Sequence, residues 1–256
     1  MKHLCYPLFA FLILLPLGSC RGQEKAQTPP ETRGGAGPGT KQEEPYTYKN
    51  GSVFGTGKWY MGREIAHVMG FQGMRWLERP EREAEEQTAK LLRNMDIQPG
   101  DIVADIGAGS GYHVFKMAPM AEPGHIYAVD IQEEMLAAIR KKNRELDLKN
   151  IKLVQGGEKS TNLPKNTVDK VLMVDVYHEF AFPVEMLASI RESLKPGGAV
   201  YLIEYRKEDP EVPIKELHKM SEAQAVKEME AAGFELRRNF GNLPWQHCMV
   251  FVKKGG

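Results

Sequence analysis

Apolar positions follow two alternating rhythms from about residue 80 onward: short β-branched runs, and longer stretches with a helical repeat. Residues 80–95 predict a charged helix, because Ala84, Thr88, Leu91, Leu92 and Met95 share one face. Pro99-Gly100 breaks the chain before a first strand at 101–106. A helix at about 111–121, a turn at Pro123-Gly124 and a strand at 125–130 follow. Residues 132–146 predict a helix with Met135, Leu136 and Ile139 facing inward, and 151–155 a third strand. A strand at 169–175, a helix at 183–194 and a Lys195-Pro196-Gly197-Gly198 turn lead into a strand at 199–205. A helix at 221–232 and strands near 234–240 and 247–253 complete the pattern. Strands that alternate with helices imply a mostly parallel sheet flanked by helices, an α/β domain over 80–256.

The N-terminus reads differently. Lys2 and His3 precede an apolar run, residues 4–17, with the length of a signal-peptide core rather than a membrane span. The run ends in Leu17-Gly18-Ser19-Cys20, which resembles the lipobox of bacterial lipoproteins. That resemblance implies a signal peptide at 1–19, a lipid on the Cys20 thiol, and an exported protein anchored on the periplasmic or cell-surface side of a membrane. The alternative is an ordinary secretory signal ending near Ser19. Residues 20–45, with Pro29-Pro30, Gly34-Gly35, Gly37 and Gly39 among polar groups, cannot bury a core and read as a lipid-attached flexible linker. Residues 46–79 are rich in Gly, Trp, Met and Arg and read either as a lid over a binding site or as a packing arm.

Composition narrows the partners. Lys plus Arg and Asp plus Glu number 34 each, so no net field recruits nucleic acid, and the only expected membrane contact is the anchor. Hydrophobic residues at 42% suffice for a real core. The folded part holds one cysteine, Cys248, in an apolar run that marks it as core filler; a lone thiol makes no internal disulfide. No His, Cys and carboxylate set shows metal-ligand spacing, so no metal is expected.

The loop after the first strand carries the chemistry. Glycines there let polar groups of a ligand approach the backbone, where a Cβ would clash. The spacing Gly107-x-Gly109-x-Gly111, with Tyr112 following, departs from the G-x-G-x-x-G of a pyrophosphate-binding loop and disfavours a nicotinamide dehydrogenase. Asp105-Ile106-Gly107-Ala108-Gly109-Ser110-Gly111 resembles the first motif of class I S-adenosylmethionine (SAM)-dependent methyltransferases. Asp130, Leu163-Pro164 with Asp169, and Leu194-Lys195-Pro196-Gly197-Gly198 are similar to later motifs of that family, in order.

The resemblance implies a three-layer Rossmann-like sandwich with a mostly parallel seven-stranded sheet, its last strand antiparallel. It implies SAM as cofactor. The backbone of Gly107, Ala108, Gly109 and Gly111 would approach its methionyl part, and Asp105 would place its amino group. Asp130, with Ile131 beside it, would meet the ribose hydroxyls, and Glu158 the adenine.

Methyl transfer needs alignment more than a fixed catalytic residue, because the cofactor carries the activation. The candidate acceptor face is Asp175-Val176-Tyr177-His178-Glu179-Phe180, with Asp175 a SAM contact, His178 a proton acceptor and Tyr177 an orienting group. The competing reading packs Tyr177 in the core and pairs His178 with Glu179. The expected acceptor is a small molecule. The alternatives are carboxyl methylation of protein, since Gly109-Ser110-Gly111-Tyr112-His113 resembles a run in protein-isoaspartate methyltransferases, and a non-catalytic SAM- or nucleoside-binding lipoprotein.

Overall fold

The strand β4 (Ile102–Ile106) is buried along nearly its whole length, which suits a central parallel strand covered on both faces. A computed structural model describes residues 44–255. The expected signal peptide and Cys20 therefore lie outside the described residues. Among those described, no helix is long and apolar enough to cross a membrane.

Beside β4 stand β5 (His125–Asp130), β6 (Ile151–Gln155), β7 (Val168–Val174) and β8 (Leu194–Arg206), all parallel. The order runs β10 (Phe234–Asn239), β11 (Gln246–Lys253), β8, β7, β4, β5, β6. The last strand, β11, is antiparallel to both neighbours. The two-residue β9 (Lys219–Met220) adds an eighth strand parallel to the end of β8. The expected Lys195–Gly198 turn is absorbed into β8, whose first residue Leu194 pairs with Val168.

Alternate residues of the strands feed two cores. Val103, Ile126, Ala128 and Leu172 pack under α3 (Thr88–Met95), α4 (Val114–Ala121) and α5 (Glu133–Leu146). Ala104, Ile106, Val129, Val171 and Met173 pack on the other side under α6 (Pro183–Ser193) and α7 (Glu222–Ala231). The result is a three-layer α/β/α sandwich. Local chemistry sets the helix ends: Pro183 opens α6, and the Ser221 hydroxyl caps α7 by accepting from Gln224 N at 3.2 Å. Asp169 ties the far end of the sheet, accepting from Ile102 N at 2.9 Å and from Lys195 Nζ at 2.8 Å.

The structure departs from the sequence reading in two further places. The helix expected over 80–95 is broken into α2 (Arg82–Glu86) and α3, because Gln87 adopts a left-handed conformation at φ +51°. The segment before it, read as a lid or a packing arm, holds strands that the sequence reading did not assign. It forms a separate antiparallel sheet of β1 (Tyr46–Tyr48), β2 (Gly55–Tyr60) and β3 (Arg63–Ala66), then the short helix α1 (Met74–Leu77). Cys248 is a free, buried thiol in β11, whose pKa burial pushes up to about 11.

Candidate functional site

The carboxyl ends of β4, β5 and β7 open onto one cavity of about 540 Å³. Ligands of open parallel sheets bind at that edge. The glycine loop forms its floor. Gly107 N and Ala108 N donate to Val129 O at 2.8 and 3.0 Å, folding the loop back over β5. Gly107 has φ +74°, and a Cβ there would lie 2.5 Å from Val176 Cγ2; Gly109 has φ +54° and would meet Leu77 Cδ1 at 2.6 Å. Only glycine gives both the conformation and the space.

Asp130 ends β5 with its carboxylate held twice: Oδ2 accepts from Gly109 N and Oδ1 from Gln132 N, each at 2.9 Å. A carboxylate has about four lone-pair sites, so acceptor capacity remains for a ligand. Burial raises its pKa, and the backbone N–H donors oppose that shift. Ile131 and Glu158 also line the cavity, Ile131 at its exposed edge.

Asp105 is buried behind the wall, and its Oδ2 has no donor. Burial lifts its carboxyl to about 7, against the pull of Arg82 and with the help of Asp130. Asp175 reaches the cavity from a left-handed residue, φ +50°, after β7. Its Oδ2 accepts from Gln246 Nε2 at 2.6 Å, and its buried Oδ1 has no partner. Burial, then the nearby Glu86 and Glu204, hold that carboxyl well above its ordinary range.

The orphaned Asp175 oxygen beside the glycine cradle fits a ligand that brings a cation with several N–H donors, while the orphaned oxygen of Asp105 lies behind the wall. The ammonium of SAM is such a group, and the hydroxyls of its ribose match the free lone pairs of Asp130. The residues present therefore fit the cofactor that the loop implied.

Four of the expected site residues lie off the cavity wall: Asp105, Ala108, Gly111 and Tyr177. Ala108 packs in the core, and a Cβ on Gly111 would strike Phe115 at 2.6 Å, so Gly111 serves the turn into α4. Tyr177 is completely buried and donates its hydroxyl to Glu228 Oε2 at 2.8 Å. Its geometry is that of a core side chain, not of a group orienting an acceptor.

His178 does face the cavity. Its Nδ1 lies 2.6 Å from Glu204 Oε2, a carboxylate fully buried in β8, and its Nε2 lies 3.0 Å from His218 Nδ1. Burial alone would depress the imidazole pKa, but Glu204 outweighs it and the net shift is upward. His218 is pushed down to about 4, first by burial and then by His178. Glu179 also lines the cavity, and burial raises its carboxyl to about 7.

The N-terminal segment completes the wall with Val68, Met69, Trp76, Leu77 and Arg79. Met69 N donates to Glu179 Oε1 at 3.0 Å, and Gln132 bridges to both Met69 O and Phe71 N. Arg63 forms a two-pronged pair with buried Glu228, at 2.9 and 3.0 Å, and donates to His178 O at 3.0 Å.

Sequence reasoning missed Glu204, His218 and Glu228, and its packing-arm reading set Arg63 in a surface pair, whereas Arg63 is largely buried against Glu228. Two carried a signal: Glu204 is a lone carboxylate within an apolar strand, and Glu228 sits among the inward residues Ala225 and Met229 of α7. His218 carried none, since its partner is 40 residues away.

Residues 97–250 match the family model described as a methyltransferase domain. An uncharacterized methyltransferase, YdaC of Bacillus subtilis, is 29% identical over 154 residues, covering 59% of this chain and 82% of that protein. A demethylmenaquinone methyltransferase of Bacillus mycoides is 29% identical over 116 residues, 45% of this chain and 49% of its own length. A crystal structure of a SAM-dependent methyltransferase from Aquifex aeolicus superposes with a TM-score of 0.68 at 26% identity, covering 72% of this chain and 98% of that one.

Proposed function

The chain belongs to the methyltransferase-domain family, with SAM as its cofactor, and from that premise we propose that it methylates a small molecule. The acceptor has an apolar body and one nucleophilic heteroatom. The observation that carries this reading is the cavity itself. One continuous space joins Gly107, Gly109 and Asp130 to the polar group His178, Glu179 and His218, under a roof of Met69, Trp76 and Leu77. Apolar walls with a few convergent polar groups suit a small ligand held in one orientation. The relatives named for demethylmenaquinone support an acceptor of that size.

When bound, SAM supplies an electrophilic methyl on a sulfonium, already a good leaving group. The chain does the rest. The glycine loop and Asp130 fix one reactant, while the roof excludes water and limits the approach of the other. His178, held by Glu204, meets the heteroatom of the acceptor with Glu179 and His218 beside it.

The test is transfer of labelled methyl from SAM to a panel of phenols, quinols, thiols and an isoaspartyl peptide. Label extracted with a small organic acceptor, and lost in His178→Ala, is expected. Label that appears only in the peptide, or nowhere, would overturn the reading.

We also place the reaction at a membrane, on the motif ending at Cys20. Incorporation of labelled fatty acid that Cys20→Ser does not abolish would contradict this placement.

A further inference from the structure

Three ligand-type atoms meet on the acceptor side of the cavity. His178 Nε2 and His218 Nδ1 are 3.0 Å apart, and Glu179 Oε1 lies 3.9 Å from the first and 3.8 Å from the second. The fold brings them together in a simple way. His178 and Glu179 occupy the 3-10 turn Tyr177–Glu179 after β7. His218 ends the 3-10 turn Glu216–His218, and the pairing of Lys219 with Tyr205 docks that turn beside the end of β8.

We propose that these three side chains form a binding site for a divalent transition-metal ion, Zn²⁺ by ligand chemistry, with its open coordination position toward the acceptor.

The geometry carries the assignment. The point equidistant from the three atoms lies about 2.1 Å from each, which is the length of Zn–N and Zn–O bonds. That point is coplanar with the three atoms, so a tetrahedral ion requires the two nitrogens to part, and Glu179 to close on them, by about 0.4–0.5 Å. Two imidazole nitrogens at this separation require either a proton or a cation between them. His178 is already held as metal-ligating histidines are: its other nitrogen, Nδ1, rests against the Glu204 carboxylate at 2.6 Å. Such a contact leaves the Nε2 lone pair available. Glu179 is held in its turn by Met69 N, which leaves its carboxylate oriented toward the two rings.

The local charge also suits a dication. Glu179 and Glu204 supply two carboxylates. The charge of the nearby Arg63 is answered by Glu228, while His178 and, less strongly, Lys215 oppose positive charge on His218.

Three protein ligands and one open position are the pattern of catalytic rather than structural zinc sites, and all three ligands line the cavity. The role of the ion rests on the methyl-transfer reading; its binding does not. A bound ion would acidify an acceptor hydroxyl or thiol at the open position, its proton released to solvent as the acceptor enters. The lone pair of the acceptor then forms the bond to the methyl carbon, and the electrons of the broken carbon–sulfur bond stay on sulfur. In this arrangement His178 acts by holding the ion and not by taking the proton.

The experiment uses the full chain without a histidine tag, stripped by a chelator. Zn²⁺ is titrated by calorimetry and Co²⁺ by visible absorption, with S-adenosylhomocysteine binding measured on every variant. One equivalent of Zn²⁺ and intense Co²⁺ bands are expected. Glu179→Gln and His218→Ala should each weaken metal binding by about 10-fold or more, and Glu204→Gln by about 10- to 100-fold. His125→Ala, outside the site, should leave it unchanged. Metal binding that is absent in the wild type, or equal in wild type and ligand variants, would overturn the proposal. S-adenosylhomocysteine binding separates the outcomes: retained, it shows that the protein is folded and that the metal inference alone has failed; lost from the wild type, it contradicts the cofactor reading instead.

Discussion

Arg63→Ala tests how the N-terminal segment is fastened to the catalytic domain. Arg63 leaves β3 and reaches Glu228 on α7 through two parallel hydrogen bonds, Nε to Oε1 at 2.9 Å and Nη2 to Oε2 at 3.0 Å. The Arg63 side chain is 10% exposed and that of Glu228 is 0% exposed, so neither charge has water to fall back on. Truncating Arg63 leaves the carboxylate with Tyr177 Oη and Gln224 Nε2 as donors, but with no cation. Breaking a buried pair from one side costs about 3–5 kcal/mol, because the survivor is an uncompensated charge. Domains of this kind have only about 5–15 kcal/mol in total. The single variant should therefore unfold at a far lower urea concentration. Replacing both partners by apolar side chains, Arg63→Met with Glu228→Leu, removes both charges at once and should cost clearly less than the sum of the single changes. Urea unfolding followed by circular dichroism, on wild type, Arg63→Met, Glu228→Leu and the double variant, measures the coupling, with Arg63→Ala alongside. Single changes below about 1 kcal/mol that simply add would refute the reasoning and reduce the pair to a surface contact.

Two further outcomes follow from the cofactor edge of the sheet. Gly107→Val should abolish binding of S-adenosylhomocysteine, because the position needs φ +74° and even a Cβ would sit 2.5 Å from Val176; retained affinity in a folded variant would contradict the cradle. Asp105 should give the cofactor-free protein a pH-dependent stability. Its folded pKa, about 7, lies above the unfolded value of about 4, so its contribution is full below pH 4 and is lost as pH rises through 7. Urea unfolding of wild type and Asp105→Asn from pH 4 to 8 isolates that slope, and parallel curves would show that the carboxyl is not perturbed.

The parts of the molecule that were legible in the chain are those with a local cause. Gly107, Gly109 and Asp130 lie within one strand–helix–strand unit, β4 to β5, so their spacing alone brings them together. The alternation of strands and helices likewise yields the layers, whereas the antiparallel last strand was implied only by the family resemblance. What stayed hidden depends on partners distant in sequence. Gln87, at φ +51°, interrupts a well-patterned helix next to Glu86, whose carboxylate accepts from Tyr205 Oη, 119 residues away. The strands β1 to β3 are short, glycine-rich and aromatic, a pattern that a packing arm shares. His218 meets His178 only because the two-residue strand β9 docks beside β8. Tyr177 looked functional by position, yet its hydroxyl is spent on Glu228.

The central claim is that the cavity at the ends of β4, β5 and β7 binds SAM through its glycine loop and Asp130. Calorimetric titration of the purified chain with S-adenosylhomocysteine tests it most directly, with Asp130→Ala alongside. The account predicts one site per chain in the wild type and at least a roughly tenfold loss in the variant, the scale of about 1.4 kcal/mol for lost ribose hydrogen bonds. No binding to the wild type, or equal affinity in Asp130→Ala, would contradict it.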